Sequence, residues 1–484
     1  MKRREFIERT AAGSAAGLGA AALGGFSLTQ LSGCARAPKG RPNIVYVLAD
    51  DLGWGDPGCY GQQYIDTPHL DALAAEGMRF TRHYAGSTVC APSRCCLMTG
   101  KHTGHACIRG NREVRPEGQW PVPDSEFTVA ELLHQAGYAT GHFGKWGLGG
   151  PDSEGHPNRQ GFDSFFGYLC QREAHFYYPE WLRENHRRIM LPGNAGDERQ
   201  TFSHDLIVER ALEFIRASAG DPFFCYLPVT IPHAELAVPE EDLAPWRGRF
   251  EETSWPAGRH YGEQAEPKAA YAAMVSRLDR DVGRVRSLLT QLGLERDTLV
   301  IFSSDNGPHH EGGHDPAFFR SSGPFRGIKR DLYEGGIRVP MLAAWPGVIE
   351  AGSRTDHPCA FWDLLPTLAE LTGTPIPADA PGPFDGLSFL PALTGRRQAE
   401  HDYLYWEFHE QGGKQALMRG DWKAVRLNVN RDGFEAPLEL YNLAEDPGET
   451  TDLAAGHARL CAELAGLMRT ARTPSELFSF GRSE

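Results

Sequence analysis

Two runs of strand length, "NIVYVLA" (residues 43–49) and "TLVIFSS" (298–304), are apolar almost throughout, and each ends in a polar pair, Asp50-Asp51 and Asp305-Asn306. A strand without polar alternation is covered on both faces, the condition of a parallel strand between helices. A third run, "PFFCYLPVT", leads into Ile231-Pro232-His233, and a short strand is expected near Tyr138 to Phe143, just before Lys145. Helical patterns lie between them: "TPHLDALAAEG" with Thr67 as N-cap, Pro68 at the first helical position and Gly77 as a stop, a helix through Gln135 stopped by Gly137, and a long helix from about Tyr271 to Leu292. The alternation predicts an α/β fold with a mixed, mostly parallel sheet between helices. In such a sheet the strand carboxyl ends share one edge, where ligand sites form. Asp50, Asp51, Lys145, His233, Asp305 and Asn306 are therefore expected in one cleft. Singly each has an ordinary explanation, since Asp-Asn-Gly is good turn chemistry and a lone Lys or His is usually solvated. Their shared position at strand ends is what argues for a site.

Three carboxylates and an amide oxygen make a hard, oxygen-only donor set, suited to Ca²⁺ or Mg²⁺ and unsuited to zinc. Such a site needs nearby cations to hold an anionic ligand, and Arg94, Lys145, His233 and Lys329 would supply them. The ligand that fits is a tetrahedral oxyanion. With 484 residues and a net charge of −14, the chain can bury a large core and lacks the basic excess of a nucleic-acid binder.

The stretch "STVCAPSRCCLMTGKHTG" (87–104) places Cys90, Cys95 and Cys96 within seven positions. Adjacent cysteines suit neither zinc spacing nor an ordinary disulfide. Most of the ten cysteines (Cys59, Cys95, Cys96, Cys107, Cys170, Cys225, Cys359 and Cys461) read as small buried hydrophobes. Cys90 stands apart because it opens a C-x-P-S-R run.

In order, "IVYVLADDLGWGD", "CAPSRCCLMTG", "FGKWGLG", "IPHAEL", "IFSSDNGPH", "KRDLYEGGIRVPML" and "LYNLAEDPGETTDLA" resemble the type I, formylglycine-dependent sulfatases of the alkaline-phosphatase superfamily. The resemblance implies an alkaline-phosphatase-like fold and a sulfuric ester hydrolase. It implies that a separate formylglycine-generating enzyme oxidises Cys90 to Cα-formylglycine, and that a cation, usually calcium, is held by Asp50, Asp51, residue 90, Asp305 and Asn306. Arg94, Lys145, His233 and Lys329 fall on the family's functional positions. A hydroxyl of the hydrated aldehyde would attack sulfur, His233 would protonate the leaving oxygen with Lys329 as helper, and the remaining hydroxyl would expel sulfate.

The segment departs from the family at one position: G-K-W-H-L-G reads "GKWGLG", with Gly147 where a histidine assists gem-diol deprotonation. His102, His105 and His142 are candidate replacements, with water as the alternative. The loops "CQREAHFYYP" and "GPHHEGGHD" offer Arg172, His175, His309 and His310 as substrate-binding residues. "GKWGLG" and "CQREAH" resemble bacterial exo-acting carbohydrate sulfatases, implying a sulfated glycan substrate with galactose or N-acetylgalactosamine at the sulfated position. The competing readings are a broad arylsulfatase, a phosphonate or phosphodiester hydrolase of the same superfamily, and, if Cys90 stays a thiol, a glycan-binding module without catalysis.

Residues 1–34 read as an export signal: Arg3 and Arg4 open a twin-arginine pattern, an Ala/Gly-rich stretch follows, and "LSGC" ending at Cys34 resembles a lipobox. An exported protein, periplasmic or on the cell surface and lipid-anchored through Cys34, is expected. The catalytic domain is expected over 35–395. Residues 396–484 are expected to form a smaller α+β subdomain, an antiparallel sheet with Gly420-Asp421 as a turn and an amphipathic helix laid on it.

Overall fold

A computed structural model describes residues 40–196, 198–258 and 260–481. The twin-arginine pattern and the lipobox through Cys34 lie outside the described residues. Among the described residues no helix is long and apolar enough to cross a membrane.

The centre of the molecule is an eleven-stranded sheet. Strand Asn43–Ala49 lies between Thr298–Ser304 and Phe223–Pro228, and Ala139–Lys145 follows, then Ser164–Tyr168, all five mutually parallel. Arg338–Ala344 runs antiparallel to Thr298–Ser304 and begins a mixed edge. The four strands that carry polar residues at their carboxyl ends are thus neighbours pointing one way. Every residue of Asn43–Ala49, Phe223–Pro228 and Thr298–Ser304 is buried, as continuous apolar runs require. Lys145 is the last residue of its strand rather than a residue beyond it.

Helix Pro68–Glu76 forms as expected, but the Thr67 side chain does not cap it. Its hydroxyl instead accepts from the Gly58 N–H at 2.7 Å and lies 3.3 Å from Asp71 Oδ1. Val129–Gln135 begins with a reciprocal capping box between Thr128 and Glu131. The long helix spans Pro267–Gln291, starting four residues earlier than its apolar pattern because Pro267 is a favourable first residue.

The C-terminal strands Leu404–Phe408, Lys414–Arg419, Trp422–Leu427 and Leu438–Asn442 form the expected antiparallel meander, with helix Ala458–Thr470 following. It joins the catalytic sheet through apolar packing, with Trp406 against Tyr84 and Trp362, and through a buried ionic network. Lys423, in this meander, lies 2.9 Å from both Glu334 and Glu449, and Glu334 also accepts from Tyr84 at 2.9 Å and Arg338 at 3.1 Å. The glutamates of "YEGG" and "EDPGE" therefore serve this buried network. Gly336 is required beside it, since a Cβ there would meet the Asp331 carbonyl oxygen at 2.0 Å.

All nine described cysteines are free thiols. Cys95, Cys96, Cys170, Cys225 and Cys359 are buried, whereas Cys59, Cys107 and Cys461 are only partly so.

Candidate active site

Cys90 is the first residue of a ten-residue helix, Cys90–Thr99, in which every residue is buried. The helix is pinned by the motif's own serine: Ser93 accepts from the Gly86 N–H at 3.1 Å and donates to the Asp305 carbonyl at 2.5 Å. Asn111 caps the start from a following loop, its Oδ1 accepting from the Ala91 N–H at 3.1 Å. Gly100, with φ +69°, closes the other end through the Cys96 carbonyl. The positive end of the helix dipole thus lies at Cys90, where it favours an anion.

The strand ends assemble around it. Cys90 Sγ is 3.5 Å from Asp50 Oδ1 and 3.3 Å from Lys145 Nζ. Ligating atoms of Asp50, Asp51, Cys90 and His233 all lie within 4.8 Å of one another. Asp51 sits at φ +63°, a left-handed backbone held by the Asp305 carboxylate accepting its N–H at 3.1 Å. Asp305 is in turn gripped by Arg94, whose Nε and Nη2 donate to Oδ2 at 3.0 and 2.8 Å while Nη1 donates to the Lys145 carbonyl at 2.6 Å. Asn306 Nδ2 donates to Asp51 Oδ1 at 2.6 Å, and Asn306 Oδ1 is buried without a partner.

That orphaned oxygen, beside clustered carboxylates, fits a hard cation: three buried carboxylates and an unsatisfied amide oxygen are what Ca²⁺ or Mg²⁺ requires. The charges balance otherwise, with Lys145 at 2.6 Å from Asp50 and Lys329 at 2.7 Å from Asp51. Burial opposes ionisation of Asp50, but the charges of Lys145 and Arg94 hold its carboxyl well below the usual range. Asp305 is pushed up to about 7 by burial and by the charge of Asp50. Burial and Asp50 raise the Cys90 thiol far above its ordinary value, so unmodified it carries a proton and is no thiolate nucleophile.

His233 is neutral here, because burial and the Lys329 charge hold its pKa well below the ordinary histidine value. Its Nε2 lies 3.0 Å from Lys329 Nζ and its Nδ1 donates to the Ala234 carbonyl, so the mobile proton resides on Lys329.

A cleft of about 240 Å³ opens above Cys90, His233 and Lys329, with Arg172 and His175 in its wall. His175 stacks on His233 at 4.4 Å. His309 and His310 do not line it. His309 uses both ring nitrogens, accepting from the Glu311 N–H at 3.0 Å and bonding the Pro232 carbonyl at 3.2 Å, and His310 is exposed elsewhere. The remaining wall was not singled out from sequence: Asn111, Glu113, Gln119 and Gln171, with His260, Tyr261, Glu311 and Arg330. Arg330 follows Lys329 directly and Asn111 follows the Cys90 motif closely, so proximity to the motifs was the available signal.

None of the histidines considered as replacements at position 147 lines this cleft. His102 and His105 lie together against Asp385, at 3.3 and 2.9 Å, and His102 and Asp385 line a separate hollow. His142 is caged by Trp146, Phe162, Phe165 and Tyr226. Position 147 itself is filled by a neighbour: a Cβ on Gly147 would lie 2.6 Å from Gln171 Nε2.

Sheet, helix-borne cysteine and clustered carboxylates define an alkaline-phosphatase-like hydrolase site for a tetrahedral oxyanion. The sulfatase family profile matches residues 42–374, and the profile described as N-sulphoglucosamine sulphohydrolase, C-terminal, matches 326–472. N-acetylgalactosamine-6-sulfatase of Rattus norvegicus is 31% identical over 468 residues, covering 86% of this chain and 82% of the relative. Arylsulfatase A of Homo sapiens is 32% identical over 481 residues, covering 87% and 85%. The crystal structure of Ps i-CgsB in complex with k-i-k-neocarrahexaose superposes with a TM-score of 0.74 at 28% identity, covering 89% of this chain and 92% of that one. The chain belongs to the sulfatase family, and it is a sulfuric ester hydrolase of the alkaline-phosphatase superfamily.

Proposed function

We propose that this enzyme removes O-sulfate from a sugar of a sulfated glycan, galactose or N-acetylgalactosamine being the leading choices, using Cys90 as its formylglycine form and Ca²⁺ at Asp50, Asp51, Asp305 and Asn306. The observation that carries the reading is Cys90 at a buried helix N-terminus, 3.3 Å from Lys145 and 3.5 Å from Asp50. The relatives support the substrate class, since one is named N-acetylgalactosamine-6-sulfatase and another was solved in complex with k-i-k-neocarrahexaose. A phosphonate monoester hydrolase of Agrobacterium radiobacter shares the fold at 20% identity, which supports the fold alone.

The aldehyde would supply a hydrated nucleophile that releases sulfate without a second attack at sulfur, and the cation would supply charge neutralisation and acidify that nucleophile. The chain's own groups do the rest. Lys145 and Lys329 face the sulfate oxygens, and their stabilisation grows as charge develops there. Arg94 orients Asp305 and the Lys145 backbone. The leaving sugar oxygen takes its proton from the Lys329–His233 pair, with the ammonium as the store and the imidazole as the relay. Among lining residues, His175 retains an unpartnered buried ring nitrogen, Nδ1; with no histidine at 147, this imidazole or water takes the proton in the step that releases sulfate, since the free amide nitrogen of Gln171 is a donor only.

The test is Cys90→Ala, with mass spectrometry of the wild-type peptide spanning residue 90 after production alongside a formylglycine-generating enzyme. The variant is expected to fold and to lose all sulfate release from an aryl sulfate and from sulfated monosaccharides. Retained turnover, or an active wild type carrying only the thiol, would refute the nucleophile.

A further inference from the structure

The wall of the cleft differs in charge from its floor. Arg172, the one arginine singled out there, has its Nε 2.9 Å from Glu113 and an Nη2 donating to the Pro116 carbonyl at 3.2 Å. Arg330 is 2.7 Å from Glu311 Oε1, and the other oxygen of Glu311 accepts from Tyr261 at 2.7 Å. Lys329 is committed to Asp51. Among the described residues lining the cleft, every Arg and Lys therefore already faces a carboxylate.

The bonding capacity left in the wall is of another kind. Gln171 Nε2 has no partner, and Glu113 and Glu311 keep lone pairs beyond those used by their arginines. Lys329 and Arg330 hold Glu311 anionic against the opposing effect of burial. Hydroxyls suit such a wall, since each can donate to a carboxylate and accept from an amide. A second carboxylate does not: it meets Glu113 and Glu311 as like charges, and the wall's two arginines, Arg172 and Arg330, are already paired with them. The cleft is provided for one anion only, the sulfate at its floor.

We infer that the sugar ring bearing the scissile sulfate is uncharged, a neutral hexose or N-acetylhexosamine whose hydroxyls are read by Glu113 and Glu311, and that hexuronate sulfates are rejected. This rests on the glycan-sulfatase reading and adds to it the residues that set the charge of the accepted sugar, Glu113 with Arg172 and Glu311 with Arg330. Glu113 acts by occupying Arg172, so releasing that arginine must open the site to carboxylates.

The experiment measures competition by sulfated monosaccharides against fluorogenic aryl sulfate turnover by the formylglycine-bearing enzyme. Matched pairs carry sulfate on the same carbon (2, 3 or 4) and differ only at C6, galactose against galacturonate; galactose 6-sulfate and N-acetylgalactosamine 6-sulfate complete the neutral set. At least one neutral sulfate is expected to compete at least about tenfold better than any uronate, and Glu113→Gln is expected to improve uronate competition about tenfold while weakening the neutral sugar. Equal or better competition by a uronate overturns the inference. So does a Glu113→Gln variant whose preference is unchanged, or failure of every monosaccharide to compete. Absence of aryl sulfate turnover in the modified enzyme would instead strike the sulfatase reading itself.

Discussion

Restoring the family's histidine by Gly147→His should destabilise this chain, and the cost can be worked out from two features. Gly147 sits at φ +79°, where a side chain costs about 1–2 kcal/mol. Its new Cβ would lie 2.6 Å from Gln171 Nε2 and 3.0 Å from Gln171 Cγ, an overpacking of about 1–3 kcal/mol because Gln171 is itself 5% exposed and cannot simply swing out. Together these give a loss of about 2–5 kcal/mol. At about 2.1 cal/mol/K per residue, an unfolding unit of this size changes Tm by about 1 °C per kcal/mol, so a fall of about 2–5 °C is expected. Gln171→Ala alone should cost only about 1 kcal/mol, its amide nitrogen having no partner to lose. The double variant Gly147→His/Gln171→Ala should then recover the steric part, a favourable coupling of about 1–3 kcal/mol, leaving the backbone strain and the cost of the Gln171→Ala change itself. Thermal unfolding of the four proteins at one calcium concentration closes the cycle. Strict additivity, or a Gly147→His protein as stable as the wild type, would refute the reasoning that Gln171 has taken the histidine's place.

Chelation by EGTA should abolish sulfate release and Ca²⁺ should restore it, while added calcium at about 100-fold over its Kd should stabilise the apo protein by about 2.7 kcal/mol, read as a rise in Tm of about 3 °C; an unchanged Tm would count against the Asp50, Asp51 and Asp305 cluster as the binding site. Acid stability should carry the mark of Glu407, which is fully buried between Arg109 at 2.7 Å and Arg472 at 2.6 Å. Burial works against its charge, but a hydrogen bond from His409 and the charge of Arg109 bring its pKa from 4.5 down to about 2. A folded value below the unfolded one means stability that is present above pH 4.5 and lost as pH falls toward 2, here about 3 kcal/mol. Glu407→Gln should therefore lower Tm at pH 7, with the gap closing below pH 4.5 and vanishing only as pH falls toward 2; a gap that does not change with pH would contradict this.

What could be read from the chain was whatever its covalent order enforces. Uninterrupted apolar runs demanded covering on both faces, and parallel strands demanded a shared edge, so Asp50, Asp51, Lys145, His233, Asp305 and Asn306 could be brought together before any coordinates. The structure bears this out with four adjacent parallel strands. The cleft wall could not be read in this way, because Glu113, Gln171, Tyr261 and Glu311 come from separate loops whose paths follow no periodicity. His309 shows the converse error. A histidine three residues beyond a ligand pair looks like a substrate reader, yet the turn that presents Asn306 carries it inward, and its two nitrogens are spent on backbone groups. Position 147 joins both lessons. Sequence showed that a side chain was missing, but not that Gln171, twenty-four residues on, had moved into its space. A side chain at 147 and the glutamine at 171 compete for one volume, since a Cβ at 147 would lie 2.6 Å from Gln171 Nε2. The unit to mutate is therefore the pair.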